Sequence, residues 1–148
     1  MKILIMGLSG SGKTFLSKLL QKELSCAWYN ADNLREMAND WDFSDQGRKR
    51  QSHRMKSLAD FEKESGRIVI CDFICPTREA RKIFAADFTI WMDTIKESNY
   101  KDTDSIFEEP QNINLRISEW NQYNPKEVAK LIRNCLLYTS DAADDRCC

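Results

Sequence analysis

No stretch of the 148-residue chain approaches the roughly 18–20 consecutive apolar residues that a bilayer-spanning helix needs. The N-terminus offers one lysine and then four apolar residues, too few for the apolar segment of a secretory signal. These two absences point to the cytoplasm. Nor is there an excess of positive charge: 22 Lys and Arg stand against 23 Asp and Glu, a formal net charge of −1. A long nucleic-acid or anionic-membrane surface draws on a large basic excess, so both partners are disfavoured. Histidine is nearly absent, with His53 alone. Cys71 and Cys75 have a spacing that fits no zinc pattern, so a metal cage is disfavoured too. Internal repeats and low-complexity linkers are missing. The remainder, 42% apolar and 30% charged, suits one globular domain. A chain of this size buries about 70% of its unfolded surface.

The last fourteen residues, CLLYTSDAADDRCC, differ in character from the rest. Through Asp145 they back-translate in one frame to a string resembling the transposon end and adapter of sequencing libraries. Residues 1–134 are therefore expected to form the domain, and residues 135–148 a non-native tail. Of six cysteines, Cys26, Cys71 and Cys75 then belong to the domain, as reduced and mostly buried thiols. Leu131 and Ile132, near its end, are read as core residues.

Apolar periodicity divides the domain into alternating strands and helices. Strands are expected at 2–6, 26–30, 67–73, 87–93 and 113–118. Helices are expected at 13–24, 31–40, 45–65, 77–85 and 125–134. Gly66 stops the long helix, Pro76 breaks the chain, and Pro125 occupies a first helical turn, where its missing N–H is harmless. Residues 94–112 are polar, contain Pro110, and read as a loop or lid. This alternation makes right-handed βαβ units. The expected fold is α/β: a P-loop NTPase-type three-layer αβα domain with a parallel sheet of about five strands.

Between the first strand and helix lies GLSGSGKT, residues 7–14. Gly7, Gly12, Lys13 and Thr14 meet the G-x4-GKT pattern, with Ser9, Gly10 and Ser11 inside it. Backbone N–H groups of such a loop cradle β- and γ-phosphates, the lysine neutralises charge, and the threonine hydroxyl ligates Mg²⁺. The helix that follows turns its N-terminal dipole to the same anions. This is a nucleotide phosphate site.

Two carboxylates lie where such a site needs them. Asp72 follows the IVIC run of the third expected strand, where a Walker B group reaches Mg²⁺ through water, or else it caps the next turn. Asp32, past the second strand, sits at the edge where open α/β sheets bind ligands and can accept the proton of an attacking hydroxyl. Equally, it can be the N-cap of the short helix. On the long helix Met55, Leu58 and Ala59 form a stripe that continues through Gln51 to Arg48. A core-facing stripe that turns polar toward one end suggests that this end opens on a cleft. Arg35, Arg48 and Arg54 would then hold an anionic acceptor, unless they form a solvated basic face. His53 points away from the stripe, toward the surface. Phe43 and Trp41 either stack on a base or anchor their loop.

GLSGSGKT, ADNLR, DFS…GR and DFICP…REARK occur in the order and approximate spacing of the adenylylsulfate (APS) kinases. That family's pattern resembles GLSGxGKT, DGDNxR, GFSxxDRxxNxRR and a strand ending SFISP before a basic helix. The likeness runs from residue 3 to about 94, with a weaker echo in FEEP, 107–110. It implies a cytoplasmic enzyme of sulfate assimilation that uses Mg²⁺ and passes the γ-phosphoryl of ATP to the 3′-hydroxyl of adenylylsulfate. By position it implies Asp32 as the catalytic Asp, beside Asn33 and Arg35. Phe43 then stacks on the adenylyl base, Arg48 and Arg54 face the adenylylsulfate, and Ile74 lines its pocket. The chain departs from the family at Ala31, Gln51, Asp72 and Cys75, where relatives carry Gly, Asn, Ser and Ser. The basic lid is much shortened, with Lys96, Tyr100 and Lys101 as its remaining counterparts. That puts the acceptor in question. The alternatives are another small hydroxyl compound (nucleoside, nucleotide or sugar acid), or an ATP-binding regulatory module without catalysis. The expected partner is thus a small molecule, and a homodimer is compatible.

Overall fold

The structure, a computed structural model, describes residues 1–120 and 122–141, with residues 138–141 described by their backbone alone. Strands β1 (Lys2–Met6), β2 (Ala27–Asn30), β3 (Val69–Asp72), β4 (Phe88–Met92) and β5 (Leu115–Ile117) form one sheet in the order β2-β3-β1-β4-β5. Every pairing is parallel, as the alternation of strands and helices predicts. Helices α1 (Lys13–Leu24), α2 (Ala31–Ala38), α3 (Asp45–Glu64), α4 (Arg78–Phe84), α5 (Lys101–Ile106) and α6 (Pro125–Asp141) complete the described chain.

The sheet is buried on both faces because β1 is apolar on both. Ile3 and Ile5 pack with Leu16, Leu20, Ile70, Ile90, Ala129 and Ile132, between the sheet and helices α1 and α6. Leu4 and Met6 point the other way, onto Met55, Ala59, Val69, Cys71 and Phe84, between the sheet and helices α3 and α4. Each fully buried Leu or Ile of these layers contributes about 1.5–3 kcal/mol by leaving water. Lys2 is the polar exception in β1. Its ammonium is buried but pairs with Asp60 of α3 at 2.7 Å, lies 4.8 Å from the Phe84 ring centroid, and donates to the Phe84 carbonyl. A buried charge survives only with such partners.

Two expectations need correction. Residues 94–112 are not all loop, because α5 occupies Lys101–Ile106. The turn before it is set by the Asp104 carboxylate, which accepts from the Ser98 N–H (2.7 Å) and hydroxyl (2.6 Å). A six-residue helix with no side-chain N-cap is too short to leave a periodic signal. Leu131 is not core: it is half exposed, whereas Ile132 is fully buried. Helix α6 runs past residue 134 to Asp141, and Cys135 packs into the core. Residues 142–148, the remainder of the segment set aside above, lie outside the described residues. Cys26, Cys71 and Cys75 are free and buried. No helix among the described residues is long and apolar enough to cross a membrane.

Candidate active site

The phosphate loop joins β1 to α1 at the carboxyl edge of the sheet. Gly7 has φ +151°, and a Cβ there would meet the Met92 carbonyl oxygen at 2.5 Å, so the loop closes only on glycine. Gly12 caps α1 in a left-handed conformation, φ +100°, with no side-chain cap. The first N–H groups of the helix are therefore left for an anion. A Cβ at Gly12 would lie 2.5 Å from the Trp120 ring, so that indole rests directly on the loop. The loop is braced by Ser11 N–H donating to the Leu8 carbonyl (3.1 Å) and Thr94 hydroxyl donating to the Ser11 carbonyl (2.8 Å).

Lys13 folds back so that Nζ donates to the Leu8 carbonyl at 2.9 Å. Burial pulls its pKa down to about 8, against the opposing fields of Asp72 and Asp32. Asp72 is buried at the end of β3. Trp28 Nε1 donates to one carboxylate oxygen (2.5 Å) and Asn30 Nδ2 to the other (2.9 Å). Burial still outweighs these bonds and the Lys13 charge, and raises the Asp72 pKa. The same Asn30 amide reaches the Thr14 hydroxyl at 3.3 Å, so one side chain ties the two expected metal oxygens together. Thr14 and Asp72 present oxygen donors, the chemistry Mg²⁺ selects. Among the described residues no three His, Cys, Asp or Glu side chains converge.

Asp32 is not the N-cap of α2. Asn30 is: its side-chain oxygen accepts the Asn33 N–H at 3.0 Å. The Asp32 carboxylate, in the first turn, makes no hydrogen bond among the described residues and faces the cavity. That cavity, about 730 Å³, runs from Ser9, Gly10, Gly12, Lys13, Thr14 and Asp72 across to Phe43, Arg48, Gln51 and Ile74.

The far wall is built by α2, α3 and the loop between them. Gln51 is buried and donates to the Ala31 carbonyl at 3.0 Å, locking α3 against the start of α2. Arg35, 4% exposed, lines the cavity but is engaged. Its Nη1 donates to the carbonyls of Asp40 (2.8 Å) and Asp42 (3.2 Å), and its guanidinium lies 4.3 Å from the Phe43 ring centroid. Arg35 thus shapes the Phe43 platform, and is no free anion clamp. Arg54 is not on the cavity wall. It donates to Gln51 Oε1 (2.5 Å) and Asp40 (2.8 Å). With Arg50 on the same carboxylate, Asp40 is held well below the usual carboxylate range. Lys101 also misses this cavity: it lines a smaller hollow beside Ser9 and pairs with Glu97 at 2.9 Å. Arg48 faces the cavity with its Nη2 on Thr103 and Asp102 of α5. His53 is exposed, as expected.

Sequence reasoning missed Asn30, Trp28 and Trp120. Asn30 stood one residue before the motif that drew attention, and the indoles had no local pattern to mark them.

A GKT loop at the edge of a 2-3-1-4-5 parallel sheet, sharing a cavity with a second wall of Arg, Gln and aromatic groups, defines a P-loop domain. A model of the adenylylsulphate kinase family matches residues 1–111, and the chain belongs to that family. The adenylyl-sulfate kinase of Bacillus licheniformis is 39% identical over 85 residues, 53% of this chain and 43% of that protein. That of Vibrio cholerae is 34% identical over 83 residues, 52% of this chain and 39% of that protein. The chain thus spans less than half the length of these curated relatives in the matched region. Among solved structures, the APS kinase of Mycobacterium tuberculosis in complex with AMPPNP and APS shares the fold, with a TM-score of 0.72 at 24% identity. That likeness covers 92% of this chain and 96% of the other.

Proposed function

We propose that the protein is an ATP-dependent kinase that transfers the γ-phosphoryl of ATP to the 3′-hydroxyl of adenylylsulfate. One observation carries this reading: the Asp32 carboxylate, free of hydrogen-bond partners among the described residues, faces the same cavity as Lys13 and Thr14. Family membership supports the choice of acceptor, with Phe43 and Arg48 on the opposite wall. In the reaction the acceptor oxygen forms a bond to the γ-phosphorus as the bond from that phosphorus to the β,γ-bridging oxygen breaks. ADP leaves, and the hydroxyl proton passes to Asp32. Lys13 and the N–H groups at the start of α1 hold the phosphates, and Phe43 and Arg48 orient the acceptor's base and its anionic group. Thr14 and Asp72 would hold Mg²⁺, which would supply neutralisation of the phosphate charge. Positioning supplies most of the rate in such chemistry.

The test is ADP release from Mg·ATP with adenylylsulfate, AMP, adenosine and gluconate as separate acceptors, for wild type and Asp32→Asn. Circular dichroism confirms that both are folded. Turnover with adenylylsulfate alone, reduced about 10²–10⁴-fold in the variant, is expected. Turnover with a different acceptor replaces the proposed substrate. Silence with all four, from a folded protein that binds ATP, overturns adenylylsulfate as the acceptor and leaves a different acceptor or a nucleotide-controlled binding module.

A further inference from the structure

Arg48 is shared between the cavity and α5. Its Nη2 donates to the buried Thr103 hydroxyl at 3.0 Å and lies 3.4 Å from the Asp102 carboxylate, both at the start of α5. Its Nε and Nη1 make no hydrogen bond among the described residues, so one edge of the guanidinium stays open while a carboxylate sits against the other. The other cations of this wall are differently placed. Arg35 serves backbone carbonyls of its own loop, and Lys49 lies between Asp45 (3.4 Å) and Glu79 (3.6 Å). Arg48 is therefore the cation through which the wall meets an acceptor's negative charge, and Asp102 is an anion already beside it.

We infer that Asp102 is a charge-based specificity residue: an internal anion that offsets Arg48 and weakens the binding of negatively charged acceptors, but not neutral ones. The inference deepens the proposed function, and its ligand class follows from that reading. Its physical content is simple. An acceptor anion arriving at Arg48 gains that attraction but is repelled by Asp102, or must displace it. Either way the carboxylate subtracts from affinity, and either way α5 feels the acceptor's arrival. The Asp102 side chain is 75% exposed, so water and salt screen the effect and hold it to the modest range of surface ion pairs.

The experiment is calorimetric binding to the full chain saturated with ADP, so that it does not depend on turnover. Adenylylsulfate is compared with neutral adenosine, for wild type, Asp102→Asn and Glu109→Gln. The last removes the same unit of charge from an exposed position beyond α5. Asp102→Asn is expected to bind adenylylsulfate about two- to fivefold more tightly, with adenosine and ADP affinities unchanged and Glu109→Gln like wild type. In an Arg48→Gln background the gain shrinks, because the part that runs through the Arg48 contact is lost and only direct repulsion by Asp102 remains. A gain in affinity is an outcome that a structural lesion does not produce. Unchanged or weaker adenylylsulfate binding in Asp102→Asn overturns the inference, and so does an equal gain in Glu109→Gln. Failure of ADP release in the acceptor assay strikes the proposed reaction instead, and the binding comparison still decides the role of Asp102.

Discussion

Lys13 gives the sharpest quantitative handle on the site. Its ammonium is nine-tenths buried with one carbonyl acceptor at 2.9 Å, and burial lowers its pKa to about 8. Nucleotide phosphates stabilise the charged form, so binding takes up a proton whenever Lys13 is partly neutral beforehand. Between pH 7 and 9 the charged fraction of the free protein falls from about 90% to about 10%, for a pKa near 8. The nucleotide's own phosphates are already ionised over most of that window. The dissociation constant for ADP should therefore rise close to tenfold from pH 7 to pH 9. Calorimetry in buffers of different ionisation enthalpy should find about half a proton taken up per ADP at pH 8. The sign for stability follows from the same shift. The folded pKa lies below the unfolded value, so Lys13 opposes folding below about pH 8, and that opposition fades as pH rises toward 10.5. The rise in melting temperature given by ADP should shrink over the same interval. A dissociation constant that stays flat to pH 9, or release of protons on binding, would refute the link between burial and Lys13 charge.

Other sites give independent checks. Gly7→Ala should abolish ADP binding in a titration, because its Cβ meets a backbone carbonyl at 2.5 Å. Gly66→Ala meets nothing within 4 Å and should bind normally, costing only about 1 kcal/mol for its positive φ. Phe43→Ala should raise the KM for adenylylsulfate about 5- to 150-fold, the range that base–aromatic stacking supplies, with the KM for ATP unchanged. Met55→Ala, under the second wall, should lower stability by about 2–5 kcal/mol, read as a fall in urea midpoint at constant slope.

The phosphate loop was legible because backbone geometry forces its residues: a loop that turns its N–H groups inward needs glycine at fixed places, and glycine is visible in a sequence. The α3 stripe from Arg48 through Gln51 to Met55 and Ala59 was legible for a similar reason, since burial imposes a helical period. Partner choice was not legible. Arg35, Arg48 and Arg54 look alike in the chain, yet one supports a loop, one bridges to α5 and one ties Asp40 to Gln51. A guanidinium is decided by acceptors that are often far away in sequence: Arg48 meets Asp102 fifty-four positions on. The cap of α2 stayed open in the sequence for the same reason, because Asn30 and Asp32 are both good capping residues and only backbone angles choose between them. Helix α5 was hidden by its length.

The most direct measurement follows the phosphorus itself. Protein is mixed with γ-labelled Mg·ATP and adenylylsulfate, and the label is located in the product by phosphorus NMR. Label on the 3′-oxygen of adenylylsulfate, formed by wild type and lost in Asp32→Asn while ADP binding persists, is the predicted result. Label found only in inorganic phosphate, or 3′-transfer undiminished in the variant, would contradict it.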